Sequence, residues 1–115
     1  TEGDAAAFGT FALAQEWLGK TIQLDPTSAA ARFYLGATLY RLDLFDESEE
    51  MLKSAITLED GYPDARSMLI NVYTRQNRYE AALEQAIVFL VENPNAPGRE
   101  AIERVRSQLE TALER

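Results

Sequence analysis

The sequence predicts an all-α protein built from repeated pairs of antiparallel helices. Residues 29–62 align with residues 63–96 at an offset of 34 residues. Apolar residues also recur every three or four positions, which is the spacing of one face of an amphipathic helix. A repeat of this length with such stripes is typical of stacked helix pairs. The matching positions are Ala31 and Ala65, Arg32 and Arg66, Leu35 and Leu69, Arg41 and Arg75, Phe45 and Tyr79, Ser48 and Ala82, and Ile56 and Leu90.

The N-terminal part of the chain predicts an incomplete repeat. We expect residues 1–8 to be the remnant of a first helix, helical from about residue 4 or 5, with Asp4 as a new N-cap. Residues 10–24 should form the next helix, and Trp17 lies on it. Trp17 either packs against a missing preceding helix or a neighbouring molecule, or anchors an interface, because tryptophan is enriched at binding hot spots.

The first complete repeat predicts two helices. Ser28 is a suitable N-cap for a helix that runs to about Leu42. Asp46 is expected to cap the second helix, with Glu49 three residues later completing a capping box. This second helix should end near Glu59. Its acidic start suits the positive end of the helix dipole, and we prefer this interpretation to a metal site.

The second repeat predicts helices over residues 64–76 and 79–92, with Pro63 suited to the first turn. A last helix, at 98–114, leaves the repeat pattern. One apolar face and one polar face are what a terminal capping helix needs, and a coiled-coil partner helix is the alternative. Its apolar stripe, Ile102, Val105, Leu109 and Leu113, should cover Leu83, Ala86, Ile87 and Leu90.

The repeat resembles the tetratricopeptide repeat family. The residues that carry the resemblance are Leu35-Gly36 on the first helix, Phe45, Ser48, Leu52 and Ala55 on the second, their counterparts Leu69, Ile70, Tyr73, Tyr79, Ala82, Ala86 and Phe89, and the closing Pro94. The resemblance implies a right-handed α-solenoid. It divides one domain into a partial repeat (1–28), two repeats (29–62 and 63–96) and a capping helix (97–115), and we expect the chain to be a fragment of a longer protein. Gly36 should lie where the two helices of its repeat cross, facing Ser48.

In this family the first helix of each pair lines a concave groove that holds a peptide or a helix. The resemblance maps the ligand-contacting positions onto Ala30, Phe33, Ala37, Tyr40, Arg41, Asp64, Ser67, Asn71, Thr74 and Arg75. Asn71 and Arg75 are similar to residues that clamp a peptide carboxylate in some members. Because Phe33 and Ala37 stand where the rest of that clamp would be, we expect a mixed aromatic, apolar and arginine-containing groove.

Composition narrows the function. The 115-residue chain has a net charge of −8 and contains neither cysteine nor histidine. The negative charge argues against nucleic acid as a partner, because phosphate contacts need clustered Lys and Arg. No apolar run approaches the roughly 20 residues that a membrane-spanning helix needs. Without motifs for catalysis or phosphate binding, we expect no enzyme and no cofactor. The compartment stays open, with cytoplasm and periplasm both compatible.

Two functions remain. The first is an interaction module that binds a peptide or helix of a partner protein in the groove. The second is a structural or self-associating spacer of a larger repeat protein, with possible contacts between copies through the truncated N-terminal face.

Overall fold

Residues 2–114 fold into six helices that pack in sequence order. The computed structural model describes the backbone of residues 2–114 and the side chains of residues 11–114, and it contains no strand within that part of the chain. The helices are Glu2–Leu24 (α1), Ala29–Arg41 (α2), Phe45–Leu58 (α3), Pro63–Arg75 (α4), Tyr79–Glu92 (α5) and Arg99–Leu113 (α6). Each helix contacts the next, and α2 also touches α4. The all-α solenoid predicted from the sequence is therefore confirmed.

The first helix differs from the prediction. Instead of a remnant followed by a new helix, α1 is one helix of 23 residues that begins at Glu2. Asp4 therefore lies inside the helix, and its predicted role as an N-cap is wrong. The physical reason is local sequence: residues 5–7 are alanines, the strongest helix formers, and no proline separates them from the following stripe.

The starts of α2 and α3 are built differently. As predicted, the Ser28 hydroxyl caps α2 by accepting a hydrogen bond from the Ala31 amide at 3.1 Å. The predicted capping box on α3 is wrong, because α3 begins at Phe45 and Leu44 is its N-cap without a side-chain hydrogen bond. Asp43 adopts a left-handed conformation with φ of 61° and turns the chain between α2 and α3. The helix can therefore begin at Phe45, which is earlier than predicted. The carboxylates of the acidic start are consequently available for contacts with the next repeat.

The crossing of α2 and α3 is closely packed. The Ser48 hydroxyl donates a hydrogen bond of 2.6 Å to the Gly36 carbonyl, which confirms the predicted contact. A Cβ atom at Gly36 would lie 2.8 Å from Cγ and Cδ2 of Leu52. Leu52 and Ser48 are completely buried. With Leu52 opposite it, position 36 therefore accommodates no side chain unless Leu52 shifts.

The main hydrophobic core lies between α3, α4, α5 and α6. Helix α6 packs against α5 and buries Ile102 and Leu109, while Leu113 remains 39% exposed. On α5, Ala86 and Leu90 are buried as predicted. Ile87 is a correction: it is 40% exposed, because the buried face of α5 runs through Ala82, Ala86 and Leu90 and leaves Ile87 on the outer side.

Candidate binding groove

The predicted groove residues lie on two helices that touch each other, α2 and α4. Four of the ten, Phe33, Ala37, Tyr40 and Ser67, are half-buried. The other six, Ala30, Arg41, Asp64, Asn71, Thr74 and Arg75, are exposed. Spacings of three and four residues place the members from each helix along one face of it. The surface therefore combines apolar side chains on α2 with mostly polar side chains on α4.

One end of this surface is aromatic. The Phe33 ring stacks on Tyr62 with 5.3 Å between ring centroids, and it also contacts Tyr34 at 5.2 Å. Burial, together with the nearby charges of Glu59 and Asp64, raises the pKa of the Tyr62 hydroxyl, so this group stays protonated at neutral pH. Tyr34 is 57% exposed and extends the aromatic surface toward solvent.

Tyr62 was not among the residues that the sequence predicted for the groove. The signal that could have identified it is an aromatic residue directly before the first residue of α4, a helix that carries predicted groove residues. Since Tyr62 already covers part of the Phe33 ring, a ligand at this end would contact the edge of an existing aromatic cluster.

The other end of the surface carries the two arginines, and both already have partners within the chain. The Arg41 guanidinium lies 6.0 Å from the centre of the Phe11 ring. One repeat later, Arg75 lies 5.2 Å from the centre of the Phe45 ring and 3.4 Å from the Asp43 carboxylate. Each arginine thus packs on the aromatic residue at the same repeat position. These cation–π contacts stabilise the stack and leave Arg75 half-exposed to solvent.

The centre of the surface is small and polar. Ala37 on α2 projects only a methyl group and is half-buried. On α4, the Asn71 amide is exposed and offers both donors and an acceptor. Thr74 is less available as a donor, because its hydroxyl already donates to the Ile70 carbonyl at 2.8 Å. Of these two polar side chains, Asn71 is therefore the more available for hydrogen bonding.

A polar cluster between α3, α4 and α5 was not predicted. The Glu49 carboxylate accepts hydrogen bonds from the Tyr73 hydroxyl at 2.7 Å and from Arg78 at 2.9 Å, and pairs with Lys53 at 2.9 Å. Burial alone would raise the pKa of Glu49, but these donors lower it from 4.5 to about 2. The Arg78 guanidinium also lies 4.5 Å above the Tyr73 ring. Glu49 is thus an inter-repeat anchor, which is its correct role in place of the helix cap.

This cluster has the wrong properties for acid–base chemistry. Hydrogen bonding to Glu49 raises the pKa of Lys53, and burial raises that of Tyr73. All three groups therefore keep one protonation state near neutral pH, whereas a general acid or base needs a pKa near the working pH. Among the described residues, no group of three or more acidic, His or Cys side chains could hold a metal ion. None of the helices in that part of the chain is both long and apolar enough to span a membrane.

Comparison with known proteins supports the fold. Neither the models of known protein families nor the curated proteins give a significant match to this sequence. Among solved structures, the crystal structure of MamA is similar, with a TM-score of 0.80 and 26% identity over 87% of this chain and 57% of MamA. The chain thus spans little more than half of that protein.

Two further structures match over nearly their whole length. The first tetratricopeptide repeat domain of Spaghetti (RPAP3), solved with the HSP90 peptide SRMEEVD, has a TM-score of 0.82 and 18% identity over 98% of this chain and 89% of that one. PcrH, solved with the chaperone binding region of PopD, has a TM-score of 0.79 and 17% identity over 100% and 96% of the two chains. At these identities the likeness establishes the fold.

Proposed function

We propose that this chain, whose fold is that of the tetratricopeptide repeats, is a protein–protein interaction module that binds a peptide or helix of a partner protein in the α2–α4 groove. The observation that carries the proposal is the exposed Asn71 amide beside the half-buried aromatic residues Phe33 and Tyr40 on the neighbouring helix. Apolar contact surface together with a few well-placed polar groups is the usual composition of a peptide-binding site.

The similar structures support this proposal by analogy of fold. The Spaghetti domain was solved with an HSP90 peptide and PcrH with the binding region of PopD, so two proteins of this fold hold segments of other proteins. The analogy suggests only that the ligand is a segment of another protein. The chemical groups that such a ligand should carry are inferred from the groove residues of this chain.

The two ends of the groove favour different ligand groups. An apolar or aromatic ligand side chain fits the Phe33 end, where rings are already desolvated. An acidic group fits the arginine end. There it would meet Arg41 more readily than Arg75, because the Asp43 carboxylate already lies near Arg75. The ligand is therefore an extended or helical segment with an apolar residue toward Phe33 and an acidic residue toward Arg41.

The alternative function is a structural or self-associating spacer. The observation that favours it is the internal use of both arginines, since each packs on an aromatic ring of the neighbouring repeat. In a pure spacer the two arginine side chains would serve only to make these contacts. Substituting the arginines would then lower stability without affecting the binding of any ligand.

The proposal is tested by selecting peptides from a random display library and measuring their dissociation constants by calorimetry. Ala37→Arg places a long side chain in the groove, and we expect it to weaken binding at least about tenfold, or about 1.4 kcal/mol. Thr57→Arg is the matched control, because it introduces the same side chain at an exposed position on α3. Equal weakening by the two variants would contradict the groove.

A second comparison, between two pairs of substitutions, tests whether the ligand contacts the arginines of the groove or the acidic residues of α3. Arg41→Ala/Arg75→Ala removes the arginine end of the groove, and Glu47→Ala/Glu50→Ala removes two exposed acids near the start of α3. We expect the arginine pair to weaken binding of peptides with an acidic residue. If the arginine pair leaves affinity unchanged and the glutamate pair abolishes binding, the ligand binds at α3. Thermal melting of each variant separates lost binding from lost folding.

A further inference from the structure

The outer face of α5 consists of four exposed side chains, Glu80, Glu84, Ile87 and Val91. Their positions are separated by four, three and four residues, which places them in one line along the helix. Ile87 and Val91 are 40% and 74% exposed. The N-terminal half of this face is therefore acidic, and its C-terminal half is apolar.

The exposure of this face is a property of the repeat position. A shift of 34 residues relates Ile87 to Lys53 on α3, and the same shift relates Val91 to Thr57. Helices α4 and α5 follow α3 in the stack, yet the Lys53 side chain is 57% exposed and Thr57 is exposed as well. A complete helix pair that follows α3 thus leaves this side open to solvent. The outer face of α5 is an external surface of the fold for the same reason.

The two outer faces differ in chemistry. On α3 the face is polar along its whole length, as is usual for the side of a helix that stays in water, with Asp46, Glu50, Lys53 and Thr57 at the four positions. On α5 the last two positions hold isoleucine and valine instead. Isoleucine is also a weaker helix former than lysine, so helix stability does not explain its presence. A contiguous apolar stripe on an external surface is typical of an interaction site.

The apolar half of the face is wider than two side chains. Leu83 and Val88 are half-buried and flank Ile87. An open pocket of about 280 Å³ lies on this side of the helix, lined by Glu80, Leu83, Glu84, Ile87 and Val88. An aliphatic ligand side chain in this pocket would leave water together with the side chains around it, which is favourable in proportion to the area buried.

The acidic half of the face has no positive counterpart within the described side chains. Among residues 11–114, neither Glu80 nor Glu84 forms an ion pair, whereas Glu49 and Glu92 each pair with an arginine. The two carboxylates lie one helical turn apart, and like charges at this spacing repel each other. A lysine or arginine of a ligand would relieve this repulsion. The net charge of −8 also attracts a basic partner from a distance.

A second copy of this chain does not satisfy both halves of the face. A parallel pair of outer faces would place carboxylates against carboxylates. An antiparallel pair over the full length would place Glu80 and Glu84 against Val91 and Ile87, which buries charges without partners. Each copy would also bring a net charge of −8. The occupant is therefore a different molecule that carries both apolar and basic groups.

We propose that the outer face of α5 binds an amphipathic helix of a partner protein, in which apolar residues are followed by lysine or arginine. The face extends over about 16 Å, so the partner helix has about three turns. It packs antiparallel to α5, because its basic residues then lie in its own last turn, where the helix dipole favours cations. This surface shares no residue with the α2–α4 groove, so one partner can bind at each.

The first test determines the chemistry of the ligand. Helical peptides from a display library are selected on the wild-type protein, and those that also bind Val91→Lys are removed. We expect the remaining peptides to carry apolar residues three or four positions apart, followed by lysine or arginine. Thr57→Lys is the matched control, because it adds the same charge at the equivalent exposed position of α3. It should leave the dissociation constants, measured by calorimetry, unchanged.

The second test measures the acidic half of the face. Glu80→Gln/Glu84→Gln should raise the dissociation constants of the selected peptides at least about fivefold, since two exposed ion pairs are lost. Glu47→Gln/Glu50→Gln removes the same charge from exposed positions of α3 and should have little effect. Added salt should weaken binding to the wild-type protein more than binding to Glu80→Gln/Glu84→Gln.

Four results would overturn the proposal. They are the absence of any peptide after removal on Val91→Lys, selected peptides that are neutral or acidic, equal weakening by Val91→Lys and Thr57→Lys, and equal weakening by the two glutamine pairs. A wild-type dimer that Val91→Lys dissociates in sedimentation experiments would show that a second copy is the occupant, and would also contradict the proposal.

Two controls keep these outcomes interpretable. The substituted side chains are exposed, and unchanged circular dichroism and melting temperature confirm that each variant is folded. Ala37→Arg, which alters the groove, should leave the selected peptides bound. Loss of these peptides in Ala37→Arg would place them in the groove and refute the outer face. A groove that binds no ligand leaves the expected results at α5 unchanged.

Discussion

The two complete helix pairs, α2–α3 and α4–α5, fill the same crossing in opposite ways. In the first pair Gly36 faces Leu52, whose side chain occupies the space that a Cβ atom would need. In the second pair the equivalent positions hold Ile70 and Ala86, and both are buried. The large residue has moved from the second helix to the first. The comparison indicates that the combined volume of the two side chains must fill the crossing. The larger of the two can lie on either helix.

The pairs also differ in how each one contacts the next element of the stack. Glu49 on α3 has Leu83 as its equivalent on α5, and Lys53 has Ile87. The junction from α3 to α4 and α5 therefore adds hydrogen-bonded charges to its apolar core, whereas the junction from α5 to α6 is held mainly by apolar burial. One repeat sequence thus supports two kinds of junction, which respond to different perturbations.

The largest expected effect comes from removing the apolar junction. Deleting residues 99–115 removes α6, which packs against α5 and contributes the buried Ile102 and Leu109 to the hydrophobic core. We expect aggregation or a large loss of stability, because several apolar side chains lose their cover together. Hydrogen exchange should show greater loss of protection in α4–α5 than in α2–α3. A truncated protein of unchanged melting temperature would show that α6 does not cap the stack.

The next effect concerns the crossing of the first pair. Gly36→Leu overpacks the contact with Leu52 and should lower the free energy of unfolding by roughly 1–3 kcal/mol or more. Gly36→Ile combined with Leu52→Ala transfers the arrangement of the second pair to the first. Chemical denaturation should show that this double variant is more stable than the sum of its single variants predicts. Additive effects would contradict the volume exchange.

The third effect concerns the charged junction, and unlike the first two it depends on pH. The folded-state pKa of Glu49 is about 2, below its ordinary value of 4.5, so the charged form stabilises the fold above pH 4.5. This stabilisation is lost as pH falls from about 4.5 toward 2. Glu49→Gln should therefore cost on the order of 2–3 kcal/mol at pH 7, and chemical denaturation should show the difference from wild type shrinking in acid.

The control for this measurement is Glu50→Gln, at an exposed neighbouring position. It should change stability by less than about 0.5 kcal/mol at any pH. If both variants lose equal stability, the loss reflects the net charge of α3 and not the hydrogen bonds from Tyr73 and Arg78.

Local sequence predicted the fold because the repeat places the same residue types at the same helix positions. The limits of α5 and the Ser28 cap follow from short-range patterns, and both are confirmed. The Gly36–Ser48 contact follows from the family resemblance and is also confirmed. The charged junction could not be predicted in this way. Glu49 and Tyr73 are 24 residues apart and meet only after two helices have packed. An acidic run at a helix start fits a capping role as well as it fits contacts with the next repeat. The prediction from sequence therefore assigned Glu49 to the wrong role.

The candidate groove shows the same limit. Its residues were assigned to one face of each first helix, and they lie on the adjacent helices α2 and α4. Their use by a ligand stays a prediction. The sequence did not indicate that Arg41 and Arg75 pack on aromatic rings, because each contact joins residues about one repeat apart. The contribution of Tyr62 was missed because its neighbouring turn residues dominate the local pattern.

Besides the hydrophobic core, contacts at the two ends of α4 join the two helix pairs. At the C-terminal end, Asp46 accepts a hydrogen bond from Gln76 and Asp43 pairs with Arg75. At the N-terminal end, Tyr62 stacks on Phe33. Dissolved salt screens exposed charges over about 8 Å at physiological ionic strength but leaves ring stacking largely unaffected. Rising ionic strength should therefore weaken the charged contact at the C-terminal end of α4 more than the ring contact at its N-terminal end, so the two ends of one helix differ in their response to salt.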